Sequence, residues 1–364
     1  MQNKGILLRQ NAKTLFRQIL IIAVSLLVVS IIVAIAGFSP QTMLSGLLHG
    51  VTGDLGGAVR WSIPLIFTGL AASVAFKAEV FNLGIDGQLN MGALAGTWVA
   101  LSLSERVPRG VGLFAIIAAG CIAGMLFALI PTLLYVRFKA DLVVTTLLLN
   151  FVAELLTDYA ILGPLRPAGT ASQAASTPKF AESFWLNKLD YLPSSNAHTG
   201  LYIAIAAAVI IWFVLRKTAT GYEIKLVGAN PDTAEESGIN VKFIIIKAML
   251  LSGLLAGLAG AVEMTGVLHQ FPKRFNDGLG FDGIVVAVLA NNNPLGVLLS
   301  GSFFGALKNG AANLQRLTNI PRPMVEIIQA TIILAVTVKF SFKLRSRIGR
   351  RIKKERAAGK ETES

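Results

Sequence analysis

Charge is scarce in this chain. Asp, Glu, Lys and Arg make up 15% of its 364 residues, against about 25% in soluble domains. That shortage excludes an ordinary soluble fold. Cysteine occurs once, as Cys121 inside an apolar run, which excludes a disulfide framework and a cysteine metal site. The three histidines, His49, His198 and His269, are scattered near expected segment ends, as bystanders usually are. No Gly-x-x-x-x-Gly-Lys-Ser/Thr loop is present, so the chain does not cradle nucleotide phosphates in that way. His-Glu-x-x-His, Cys-x-x-Cys and any nucleophile–base pattern are likewise missing. Nothing reads as an enzyme, and no catalytic residue, metal site or cofactor is expected. Uphill work must draw on an ion gradient or on another subunit.

What the chain has is apolar length. Hydrophobic residues reach 54% and mean hydropathy is +0.64. Runs of spanning length recur, since a bilayer core takes about 20 apolar helical residues. The fold class expected is all-α: a polytopic transmembrane helical bundle of about 8–10 spans, including broken or re-entrant helices. The net charge of +13 is concentrated at the C-terminal end, from Lys339 through Lys360. Such a run suits cytoplasmic retention and contact with membrane lipids. No aromatic beyond Phe342 is interleaved with it, so no nucleic acid is expected.

Residues 1–17 read as a basic cytoplasmic N-terminus carrying Lys4, Arg9, Lys13 and Arg17. The first apolar run, Gln18 to Gly37, is expected to be a retained anchor. Ala34-Ile35-Ala36 does resemble a cleavage site, but the run is longer than a signal core. Further spans are expected at about 62–76, 84–103, 111–135, 142–162, 200–215, 243–266, 281–291, 294–312 and 325–340, those at 62–76 and 281–291 being short for a crossing. Ten spans put both termini inside, with the basic loops 137–141 and 216–242. The transmembrane domain thus covers 18–340 and a basic cytoplasmic tail 341–364. Residues 163–198 fall outside, either folded over the external mouth or as a free loop.

Glycines spaced by four (Gly46/Gly50, Gly92/Gly96, Gly120/Gly124, Gly253/Gly257, Gly301/Gly305) predict close helix crossings. Polar groups at membrane depth carry more information, because an unpaired one costs several kcal/mol there. Phe81, Asn82, Asp86, Gln88 and Asn90 fall in one stretch with Glu79, and Gly84 and Gly87 flank the acid, so the backbone is expected to break. Asn150, Glu154 and Asp158 share one face of a helix at i, i+4, i+8. Asn291 and Asn292 precede Asn293-Pro294. Each group either lines a pathway for a polar, neutral solute or serves as glue, cap or turn between helices.

A polar stretch from Arg216 to Lys242 lies between two spans. Within it, Gly228, Asn230, Pro231, Ala234, Glu235 and Gly238 belong to a segment with helix signals. Pro231 suits a first turn, Asp232 and Glu235/Glu236 suit the positive end of the dipole, and Gly238 supplies a stop. The segment is either a docking helix for a soluble partner or an ordinary surface turn.

Three motifs in order carry a family resemblance. Phe81-Asn-Leu-Gly-Ile-Asp-Gly-Gln-Leu-Asn-Met-Gly-Ala-Leu resembles the FNIG-x-EGQ-x-x-x-GA stretch of bacterial ABC-importer permeases of the branched-chain amino acid/ribose superfamily. Gly228-Ala-Asn-Pro, Ser237-Gly-Ile and Leu251 to Glu263 look like that family's ATPase-facing loop and next helix. Gly280-Phe-Asp-Gly-Ile-Val-Val-Ala-Val-Leu-Ala-Asn-Asn-Asn-Pro294-Leu-Gly is similar to its GFDGIAVALLG-x-x-NP-x-G element. The resemblance runs from about Trp61 to Phe340 and is nearest to the nucleoside branch. Three departures stand out. Thr233 to Ser237 replaces an Ala-Ala-aromatic pattern, Asp86 stands for a Glu, and Asn291 for a Gly.

The resemblance implies a permease subunit in a bacterial plasma membrane. Its partners would be a cytoplasmic ABC ATPase bound to the 228–238 segment, a second homologous permease, and an extracellular solute-binding lipoprotein. Nucleosides are the expected solutes, then simple sugars, with branched-chain amino acids third. An ion-coupled secondary transporter using Glu154 and Asp158 is the competing class, and a membrane-embedded enzyme is a weaker one.

Overall fold

The computed structural model describes residues 52–104, 106–167, 176–192, 195–276 and 278–317, together with 27, 30, 31, 33–35, 37–48, 321, 326, 327, 330 and 331. The expected spans at 18–37 and 325–340 and both charged termini lie largely or wholly outside these residues. The chain divides into two compact units, residues 54–309 and the remainder. In the remainder, the described part includes a short helix, α1 (Pro40–Leu48), that the sequence did not announce.

The unit 54–309 is helical. Its elements are α2 (Leu55–Lys77), α3 (Ile85–Ser102), α4 (Arg109–Phe138), α5 (Leu142–Leu162), α6 (Gly200–Lys217), α7 (Ala219–Ala229), α8 (Pro231–Glu236), α9 (Val241–Glu263) and α10 (Leu279–Leu289). α11 (Pro294–Leu317) begins in it and runs on beyond it. Among the described residues five helices are long and apolar enough to cross a membrane: α2, α4, α5, α6, and α9 with the π-turn Met264–Leu268 that extends it. α2 starts a full two turns before the expected Ser62. The Asp54 side chain accepts the Gly57 N–H at 2.8 Å and caps the helix, so Arg60 lies inside the span.

α9 is the hub and packs on α2, α3 and α4. The contact is backbone to backbone. A Cβ built on Gly92 would sit 2.4 Å from the Gly257 Cα, and one on Gly124 would sit 2.3 Å from the Gly253 oxygen. No side chain fits there, so these glycines are obligatory at the crossing. α4, α5 and α6 expose long apolar faces, among them Phe114, Leu126, Leu148, Leu155 and Phe213. Such faces suit lipid.

The described part of the 163–198 segment is docked on the bundle. Thr177, Phe180 and Leu186 donate their N–H groups to the carbonyls of Phe271, His269 and Thr265. Trp185 stacks on His269 with centroids 3.8 Å apart, and Phe184 is fully buried, so near that a Cβ on Gly112 would overlap its ring.

Candidate functional site

The backbone break lies between α2 and α3, just ahead of where it was expected, since Asp86 and Gly87 are already helical. Residues 78–84 are non-helical, with Glu79 in the left-handed region at φ 58°. A buried knot of side chains satisfies the freed polar groups. The Asn82 amide donates to Gln88 and to the Ser252 hydroxyl, both at 2.9 Å, while its oxygen accepts the Gly84 N–H at 3.0 Å. The Ser252 hydroxyl in turn donates to the Ala71 carbonyl at 2.8 Å.

Asp86 opens α3 and serves a second helix as well. Its Oδ1 accepts the Gly280 N–H at 2.7 Å and the Asn276 amide at 2.8 Å. The starts of α3 and α10 therefore meet at one carboxylate, where two helix dipoles favour negative charge. α10 has only 11 residues, which at 1.5 Å each reach about 16 Å. It is a half-helix, as its short apolar run had suggested.

Beside this junction lies a cavity of about 400 Å³, lined by Asp86, Asn90, Asn150, Glu154 and Thr157, by Phe151, Phe271, Phe275 and Phe281, and by Arg274 and Asn276 among others. Four of the nine sequence-named pathway residues meet here: Asp86, Asn90, Asn150 and Glu154. Asn150 is already engaged, accepting the Gly87 N–H and donating to the Leu83 carbonyl, both at 2.8 Å. Glu154 pairs with Arg274 and Asp158 with Lys273, each at 3.0 Å.

The other five depart from the expectation of a shared lining. Asn82 and Gln88 are sequestered in the knot and essentially unexposed. Phe81 is 55% exposed, its ring 5.2 Å from Phe76, and does not reach the cavity. Asn291 and Asn292 form the turn into α11 with φ of 55° and 54°, a backbone region that asparagine tolerates. Conversely, Arg274, Asn276 and the phenylalanines at 271 and 275 were not singled out. The signal was there: two adjacent cations, Lys273 and Arg274, follow α9, and another span carries acids at i and i+4 that need partners.

A buried charge cluster lies apart from this lining. Arg60 pairs with the nearly unexposed Glu263, Lys308 pairs with Asp282, and the Arg60 guanidinium lies 3.8 Å over the Trp61 ring. His198 is fully buried, its Nδ1 accepting the Gly200 N–H. Burial, with Arg60 and His269 nearby, lowers its imidazole from 6.5 to about 4. Burial and the Lys179 and Lys188 ammoniums lower His269 likewise, to about 4. Among the described residues no cluster of His, Cys, Asp and Glu is suited to hold a metal ion.

The polar stretch 216–242 contains two helices where one was expected. α7 precedes α8, and α8 is only six residues long. Asn230 caps it by accepting the N–H groups of Asp232 and Thr233 at 3.0 and 3.2 Å. Pro231 takes the first turn, and Gly238 stops the chain at φ 80°. Asp232 is therefore the acid at the positive end, whereas Glu235 and Glu236 fall in the last turn, contrary to the expectation. Ala234 is fully buried, and Gly228 fits so closely to α2 that a Cβ would lie 2.1 Å from the Lys77 carbonyl oxygen.

Comparison with known proteins places the chain. Residues 55–353 match the family model described as "Branched-chain amino acid transport system / permease component". The guanosine ABC transporter permease protein NupP of Bacillus subtilis is 34% identical, over 86% of this chain and 90% of that protein. The nucleoside ABC transporter permease protein NupB of Lactococcus lactis is 31% identical, over 92% and 93%. The glucose ABC transporter permease protein TsgB13 of Haloferax volcanii is 36% identical over 79% and 77%. With its broken-helix cavity and capped polar loop, the chain belongs to the branched-chain amino acid transport system / permease component family.

Proposed function

We propose that the chain is the transmembrane permease subunit of an ABC importer and forms the translocation pathway for nucleosides. It sits multi-pass in a bacterial plasma membrane with both termini cytoplasmic. The work is done by ATPase chains that grip α8, a second permease completes the pathway, and a solute-binding lipoprotein delivers the cargo. The observation that carries nucleosides is the cavity lining: aromatic rings for a base, with amides and a carboxylate for hydroxyls and base edges, in the manner of ligand sites generally. The likeness to NupP and NupB over nearly their full lengths supports this reading.

The coupling route follows from contacts. α8 is short and capped, and α7 behind it touches the Lys77 carbonyl through Gly228. Lys77 ends α2, and the next residues are the break that leads to Asn82, Asp86 and the start of α10. A push on α8 thus reaches the solute cavity through one close contact and one buried knot, as rigid-body motion. Simple sugars are the second reading, favoured by the likeness to TsgB13. Uptake of labelled guanosine by cells with and without the chain tests the proposal. Nucleosides should compete and hexoses should not; the reverse order would install the sugar reading, and uptake independent of any ATPase subunit would overturn both.

A further inference from the structure

The C-terminal end of α4, the N-terminal end of α9 and the stretch 235–240 at the end of α8 enclose a groove of about 740 Å³, apart from the solute cavity. Val136 and Ile245 give it apolar walls, and Tyr135 adds a half-exposed aromatic at the helix end, the level at which membrane proteins place such rings. Lys139 and Lys242 line it with exposed side chains, against the single acid Glu235.

Each lysine sits at a helix end, Lys139 with its charge at the favoured C-terminus but its backbone strained, Lys242 with its charge at the disfavoured N-terminus. Lys139 is the C-terminal cap of α4 in the left-handed region at φ 57°, where glycine carries no strain. Lys242 is the second residue of α9, whose first turn holds no acid, so its charge faces the positive end of the dipole. Among the described residues neither lysine has a carboxylate in ion-pair range. An anion between them would offset the unfavourable placing of the Lys242 charge against the α9 dipole, and the apolar walls call for one that carries hydrocarbon.

We infer that this groove binds an anionic phospholipid, its phosphate between Lys139 and Lys242 and its acyl chain along Val136 and Ile245. The site shares no lining residue with the solute cavity. Two lysines against one glutamate leave the groove positive, which selects an anionic headgroup over a zwitterionic one. Each lysine near such a headgroup is worth about fivefold in affinity.

The test uses the full chain in vesicles of phosphatidylcholine and phosphatidylglycerol, with a photoactivatable phosphatidylglycerol and peptide mapping of the cross-links. Labelling is expected on the peptides that carry residues 135–139 and 239–245. Lys139→Gly and Lys242→Gln should each cut it about fivefold, while Lys139→Arg keeps it. Lys139→Gly relieves the strained cap, so its thermal melt should equal or exceed that of the parent. Equal labelling by a phosphatidylcholine probe, labelling confined to the basic tail, or unchanged labelling in Lys139→Gly and Lys242→Gln would overturn the inference. Displacement by inorganic phosphate at a concentration that leaves other lipid contacts intact would overturn it too, assigning the lysines to a soluble anion.

Discussion

Truncating Asp86 to alanine strands the Gly280 N–H and the Asn276 amide inside the membrane. Each lost partner costs about 1–3 kcal/mol, so Asp86→Ala should lower the melting temperature and uptake together, whereas Asp86→Asn, which keeps an acceptor, should melt closer to the parent. Asn90 lines the cavity, and its side chain bonds to no other described residue. Asn90→Ala should leave the melt unchanged and reduce nucleoside uptake about tenfold, the worth of one good hydrogen bond; a changed melt with unchanged uptake would remove it from the pathway. His198 makes the chain acid-sensitive. Its folded value of about 4 lies below the free 6.5, so an unfolded chain takes up a proton that the native one refuses. Stability present above pH ~6.5 is lost as pH falls towards ~4, by up to about 3 kcal/mol. Melting temperatures taken at descending pH should fall across that window, and a flat profile would contradict the burial of a neutral imidazole. At this scale the sequence was a partial guide. It marked Asp86, Asn90 and Glu154 because intramembrane polarity is rare. It could not separate them from Asn82 and Gln88, since which amides face each other depends on the path of residues 78–84.

Among elements, the crossing of α3, α4 and α9 leaves no room for side chains. Gly92→Val would drive a branched side chain into the α9 backbone, at several kcal/mol of overpacking. The variant should fail to give a monodisperse bundle by size exclusion in detergent. Gly228→Val separates α7 from the end of α2. In the assembled transporter it should keep basal ATP hydrolysis and lose solute stimulation; intact stimulation would place the coupling route elsewhere. The glycine seams were readable because four-residue spacing has one physical use. α7 was not, because an eleven-residue helix of mixed polarity carries no membrane-length run, and its Thr218 cap, which accepts the Gly221 N–H, is a weak signal by itself. The start of α2 was missed for a related reason: Arg60 ended the apolar run on paper, whereas Glu263 on α9 neutralises it in space.

For the whole molecule, the decisive property is sidedness. Cysteines placed at Asp232 and Glu236 should react with a membrane-impermeant maleimide only after cells are opened. Reaction in intact cells would reverse the orientation and leave α8 no ATPase to meet. The bundle's class was legible throughout, because hydropathy and run length report the solvent a chain is built for. The docking of 176–192 was not, since it depends on backbone bonds to residues 265–271 that no composition reveals.

One carboxylate begins two helices, and that restricts how the molecule can open. With α3 and α10 pinned together at Asp86, neither can retreat from the cavity alone. If the cavity is the proposed pathway, the wall left to yield is α5, tied there by Asn150 and by two ion pairs from its acids to Lys273 and Arg274. A passing solute would have to slacken those ties, so the gate and the toll-keeper would be the same helix.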